Sequence, residues 1–168
     1  MTSNRTIKWI ESLAEQEMSI RSGDRVSIDL CTTKDEVLSV ETATFLRDLY
    51  YHLDYLSKLF NLRVVDEAVQ LRVTKPADAQ AGDGFSVARG EMKLSILSGK
   101  PGVIQFQCEK KLDASSAQRT SVMFSGMIEA GFGLFHEVEW SFLGNHVVPE
   151  QVARHYLTEF IQVSRPSV

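Results

Sequence analysis

Apolar residues along this chain change their spacing from helical to alternating and back, and that change predicts its elements. Over residues 3–20, Ile7, Ile10, Leu13, Ala14 and Met18 recur at steps of three and four, while Lys8, Glu11 and Glu15 take the other side. This is the pattern of an amphipathic helix. Its stripe is narrow, so the helix is expected at the surface or docked against a partner. Ser22-Gly23-Asp24 breaks it, and Val26-Ser27-Ile28-Asp29-Leu30 then alternates as a half-buried strand does.

The strongest local signal follows. Leu46, Leu49, Leu53, Leu56 and Phe60 fall at steps of three and four, and Tyr50, Tyr51, Tyr55 and Leu59 widen the stripe far beyond a narrow seam. Apolarity that broad predicts a long helix buried on more than one side and central to the core. Thr33 with Glu36 offers a capping box, Ser39 is an alternative start, and Asn61 reads as a left-handed C-terminal cap. Asp54 and Lys58, one turn apart, are expected to pair.

Beyond this helix the period becomes two. Val69, Leu71 and Val73 alternate with Gln70 and Arg72, and strand-like runs recur at 85–89, 92–97, 103–109, 119–128 and 134–143. Polar loops are read at 77–84 and 113–118, a turn at 99–102, and Gly131 and Gly133 join the last two strands. Pro149 then opens a final helix whose apolar face is Val152, Tyr156, Leu157, Phe160 and Ile161, with Glu150 suited to its positive end. Consecutive strands without intervening helices predict an α+β fold. The expected architecture is a mainly antiparallel sheet of about six strands packed on a long buried helix, with amphipathic helices at both termini. One domain over residues 1–168 is expected, with 1–22 as a surface or dimerisation helix.

Composition narrows the class of molecule more than the function. Hydrophobic residues make up 43 % and charged residues 24 % of the 168, with only four prolines, which excludes collagenous, mucin-like and coiled-coil chains. The formal net charge is -4, and the one mildly basic stretch, 89–111, holds Arg89, Lys93, Lys100, Lys110 and Lys111 against Glu91 and Glu109. That reads as a solvated hairpin face, so nucleic acid is not expected as a partner. There is no signal-peptide pattern and no run approaching the roughly 20 apolar residues of a membrane span. Cys31 and Cys108 lie far apart, within or beside strand-like runs, and read as buried thiols. A cytoplasmic location with reduced thiols follows as the expectation.

Chemical motifs are few. Gly131-Phe132-Gly133 lacks the third glycine of a dinucleotide loop, no phosphate-cradling loop is present, and His136-Glu137 has no second histidine four residues on. No catalytic residues, metal ligands or cofactor are expected. His136 is placed in the strand 134–143 on one face with Leu134, Val138, Trp140 and Phe142, where a hydrogen-bonded core histidine is the structural reading. The functional reading makes His136 and Trp140 the polar and apolar walls of a ligand cavity. Glu137 and Glu139 read as a solvated strand face. His52 near Asp48 and His155 near Glu159 read as exposed helix pairs. The cluster Tyr50, Tyr51 and Tyr55 reads as core-edge packing, or as the fringe of a pocket or interface, so Tyr51 and Tyr55 join the candidate ligand-binding residues.

Two functional classes compete. The preferred expectation is a non-catalytic binding or adaptor domain acting through protein–protein contacts, including self-association as a homodimer. The alternative is a cavity protein for a small apolar ligand, with a helix-grip or hot-dog-like arrangement by fold analogy alone. An enzyme is the less favoured reading.

Overall fold

The structure, a computed structural model, describes residues 4–22, 30–75, 84–112 and 120–166. The chain divides into two compact units, Met1–Lys34 and Asp35–Val168. In the first, helix α1 covers Asn4–Ser22, and Ile7, Ile10, Leu13 and Met18 of its predicted stripe are exposed, as is Trp9. The strand read at 26–30 lies outside the described residues except for Leu30. That residue opens helix α2, Leu30–Arg63, so Cys31 is helical rather than beside a strand.

Helix α2 runs 34 residues and starts upstream of both predicted caps. Thr33 and Ser39 lie inside it because no glycine or proline interrupts 30–40, and a hydroxyl alone does not stop a helix. Thr42 illustrates the accommodation, donating to the Leu38 carbonyl at 2.6 Å. Its oxygen also accepts from the Gly102 N–H at 2.8 Å, tying α2 to a turn of the sheet. Asn61 is not a cap either, since the helix continues to Arg63. Its side-chain amide instead donates to the Leu71 carbonyl and accepts from the Leu71 N–H, both at 2.8 Å, imitating a strand neighbour. The expected Asp54–Lys58 pair forms at 2.6 Å.

A short 3-10 turn, Glu67–Val69, takes the start of the alternating run read at Val69, Leu71 and Val73; Asp66 caps it by accepting from the Ala68 N–H. Seven strands then form one antiparallel sheet in sequence order: β1 (Arg72–Thr74), β2 (Phe85–Arg89), β3 (Met92–Lys100), β4 (Val103–Lys111), β5 (Thr120–Phe132), β6 (Val138–Phe142) and β7 (Asn145–His146). The α+β class and antiparallel sheet are therefore as expected, with the two-residue β7 added to the anticipated six. The loops read at 77–84 and 113–118 fall outside the described residues, apart from Gly84. Between β3 and β4, Pro101 and Gly102 (φ 80°) supply the fixed and left-handed positions of a tight turn.

One face of the sheet is mainly apolar, with Arg89 of β2 a buried charge on it. Phe85, Ile96 and Phe106 line up across β2, β3 and β4, and Val87, Leu94, Cys108 and Phe124 form the adjoining row into β5. On the other face Thr74, Ser86, Ser95, Gln107 and Ser125 form a polar row. Helix α2 lays Phe45, Leu46, Leu49 and Leu53 into the apolar face, with Phe45 4.6 Å from Trp140 and Tyr50 5.3 Å from Phe85 between ring centroids. The last helix, α3 (Pro149–Val163), buries Val152, Ala153, Tyr156, Leu157 and Phe160 in the same core. Pro149 stands in its first turn, and the Gln151 side chain reaches back to accept from the Val148 N–H at 3.1 Å. No described helix is long and apolar enough to cross a membrane.

Candidate functional site

Helix α2 carries two apolar faces, and the sheet covers only one. At 100° per residue, Thr42, Phe45, Leu46, Leu49, Leu53 and Ser57 share the buried side. Val37, Val40, Tyr51, Tyr55, Leu59 and Leu62 share an arc of roughly 100° on the opposite side, and these six are 38 to 79 % exposed. Burial on more than one side was the expectation; one side of α2 is solvent-exposed instead. The tyrosines divide accordingly. Tyr50 turns inward, its ring edge-on to Phe85 with the Lys75 ammonium 3.9 Å above it, while Tyr51 and Tyr55 are each 61 % exposed. Asp48, Asp54, Lys58 and Arg47 border the outer stripe. The hydrogen bond and charge of Asp54 raise the Lys58 pKa.

The four candidate ligand-binding residues do not converge. Trp140 is buried on β6 against Phe45, whereas Tyr51 and Tyr55 face away from the sheet. His136 is exposed and not in a strand: residues 133–137 form a turn, and His136 takes a left-handed φ of 61°. The Gly133 N–H donates to the Glu137 carbonyl at 2.7 Å and the His136 N–H to the Gly133 carbonyl at 3.1 Å, which closes that turn. Leu134 and Phe135 consequently project into solvent instead of alternating into the core. Glu137 is not a plain strand-face residue, because its carboxylate accepts from the Phe135 N–H at 2.9 Å.

Among the described residues Arg89 is the buried charged side chain. Arg89, read as part of a solvated basic face, is buried: Lys93, Lys100, Lys110 and Lys111 stay exposed, but Arg89 points inward with Phe85 and Val87. Its guanidinium donates to the Val69 carbonyl at 2.8 Å, the Ile161 carbonyl at 3.1 Å and the Ser164 hydroxyl at 3.2 Å, and it lies 5.6 Å from the Phe60 ring. It thus closes the C-terminal end of α3, where carbonyls lack helical donors. Burial lowers its pKa, with repulsion from Arg165 adding to the effect. Strand parity carried this signal, since residues 85, 87 and 89 share one face. Cys108 is a buried free thiol, pushed up to about 11 chiefly by desolvation.

Comparison with protein-family models, curated proteins and solved structures finds no match to this chain. Its candidate site therefore rests on geometry alone. A shallow recess of about 360 Å³ lies along the exposed face of α3, between Gln151, Arg154, His155, Thr158 and Glu159. Its walls are side chains one turn apart on a single helix. Strand β5 offers a further surface: β4 pairs with it along Thr120–Glu129, but β6 pairs only with Glu129–Phe132. A bulge between Cys108 and Glu109, opposite Met123, distorts the ladder there, a device that discourages pairing at an open edge. The outer stripe of α2 is the broader apolar feature.

Proposed function

We propose that the protein is a non-catalytic binding or adaptor domain that works through protein–protein contacts, with the outer face of α2 as its contact surface. The observation that carries this reading is the second set of exposed apolar residues opposite the packed side, Val37 and Val40 followed, about three turns on, by Tyr51, Tyr55, Leu59 and Leu62. Scattered apolar residues on a surface need no explanation, but an aligned stripe does. Tyrosine suits such a role, having a large ring, few rotatable bonds and a polar tip that tolerates water until a partner arrives. The cavity alternative has no comparable support, because Trp140 fills its space against Phe45 while His136 is exposed.

The test is site-specific photo-crosslinking from positions 55 and 62 in cells that express the protein, with exposed position 154 on α3 as the control. Specific protein adducts from 55 and 62, absent from 154, are expected. Adducts from all three positions alike, or from 154 alone, would overturn the assignment of this face.

A further inference from the structure

Resting on that reading of α2, we infer that the occupant of its outer face is a second copy of this chain, paired antiparallel through α2. Positions 37, 41, 44, 48, 51, 55, 58 and 62 follow alternating steps of four and three, the spacing of a helix–helix seam. Alone, that seam is an odd mixture: Val37, Glu41, Thr44, Asp48, Tyr51, Tyr55, Lys58 and Leu62. Antiparallel pairing about a twofold axis resolves it. Val37 then meets Leu62 of the partner subunit, Glu41 meets Lys58 of the partner subunit, Thr44 meets Tyr55 of the partner subunit, and Asp48 meets Tyr51 of the partner subunit. Apolar faces apolar, acid faces base, and each phenol faces a hydrogen-bonding oxygen. The twofold repeats all four layers, as an isologous interface requires.

Charge selects the direction. A parallel pair in the same seam would stack Glu41 on Glu41, Asp48 on Asp48 and Lys58 on Lys58, three like-charge layers. Lys58 is free to reach across, since its side chain is 73 % exposed even while it contacts Asp54. Outside the seam, Val40 meets Leu59 of the partner subunit. Taking about 120 Å² from each exposed tyrosine and about 65 Å² from each aliphatic, the stripe offers on the order of 500 Å² per copy. Two copies bury about 1,000 Å², the lower limit of a specific interface, so a concentration-dependent dimer is expected rather than a permanent one.

Sedimentation equilibrium over a concentration series, in low salt, tests this. The native chain should move from 18.9 kDa toward twice that mass. K58E and E41K should each weaken dimerisation by about tenfold or more, because the twofold doubles every change, and the E41K/K58E double variant should recover most of the loss. Circular dichroism melts confirm that each variant is folded. A chain that stays at 18.9 kDa up to the highest concentration overturns self-pairing. A dimer whose two charge variants are simply additive overturns this register. Either failure leaves the adaptor reading to be judged separately, since crosslinks from position 55 to a different protein would sustain it without a second copy.

Discussion

Tyr156 provides the sharpest test of how this core is assembled. Its ring stacks on Phe106 with centroids 3.8 Å apart, and its hydroxyl is buried with no hydrogen-bond partner among the described residues. Space for the hydroxyl exists because residue 126, opposite Phe106 on β5, is glycine: a Cβ there would overlap the phenolic oxygen. Desolvation accordingly holds the phenol above its usual value, at about 12. Removing the oxygen by Tyr156→Phe deletes an unpaired buried group whose cost is about 1–3 kcal/mol. The vacated space, about 10–15 Å³ at ~24 cal/mol per Å³, gives back only about 0.3 kcal/mol. A net stabilisation of about 1–2.5 kcal/mol should raise Tm by roughly 2–8 °C in a chain of this size. Gly126→Ala should destabilise by about 1–3 kcal/mol through overpacking. With Tyr156→Phe in the same chain, at least about 1 kcal/mol of that loss should return, because the closest clash is gone. Urea denaturation of the four proteins gives the cycle. The reasoning is refuted if Tyr156→Phe loses more than about 1 kcal/mol, or if the two changes add within about 0.5 kcal/mol.

Three further outcomes follow from individual side chains. The folded state keeps Tyr156 and Cys108 neutral, with pKa values near 12 and 11 against ordinary values of 10.0 and 9.0; stability is therefore full below pH 9 and falls between pH 9 and 12, by up to about 2.7 kcal/mol for each group. Cys108→Ala should flatten the lower part of that fall and Tyr156→Phe the upper, whereas an equally stable native chain at pH 8 and 11 would contradict both. Arg89→Met should cost about 2–4 kcal/mol by stranding the Val69 and Ile161 carbonyls; a change under 0.5 kcal/mol on the order of measurement error would remove its structural role. Leu143 and Gly144 form the two-residue β6–β7 turn with φ of 49° and 80°. Leu143→Asn should therefore raise Tm by a few degrees, about 0.5–1.5 kcal/mol, by relieving a left-handed leucine, and a lower Tm would argue that its exposed side chain makes a stabilising contact.

What the sequence disclosed and what it hid divide along physical lines. Spacing of three and four located α2, and alternation located β2 in full and the starts of β3 and β4, because burial on one side imposes those periods. Ends were harder to place. Thr33, Ser39 and Asn61 have the chemistry of caps, yet each sits inside α2, and the Asn61 side chain is used by Leu71 beyond the helix. The run 134–143 alternates well enough to be read as one strand, but two left-handed residues, His136 and Leu143, bracket β6 and neither is the glycine or asparagine that usually marks such a position. That misreading moved His136 next to Trp140 and suggested a cavity. Tyr51 and Tyr55 were read with Tyr50 as core-edge packing or the fringe of a pocket or interface, and the side of the helix they occupy, 61 % exposed, depended on where the sheet lies.

The same dependence explains why the outer face of α2 matters more than its composition suggests. A helix needs one apolar stripe to seat on a sheet, and Phe45, Leu46, Leu49 and Leu53 supply it with fully or nearly fully buried side chains. Residues on the opposite side are under no such demand, and the ordinary solution there is lysine, glutamate and glutamine. Here Tyr51, Tyr55, Leu59 and Leu62 continue the apolar pattern, interrupted at the seam by Glu41, Thr44, Asp48 and Lys58. Glu41 and Lys58 are placed symmetrically about the middle of the stripe, and Lys58 also pairs within its own helix with Asp54. In the proposed pairing this placement would favour one antiparallel copy against another and penalise the parallel alternative.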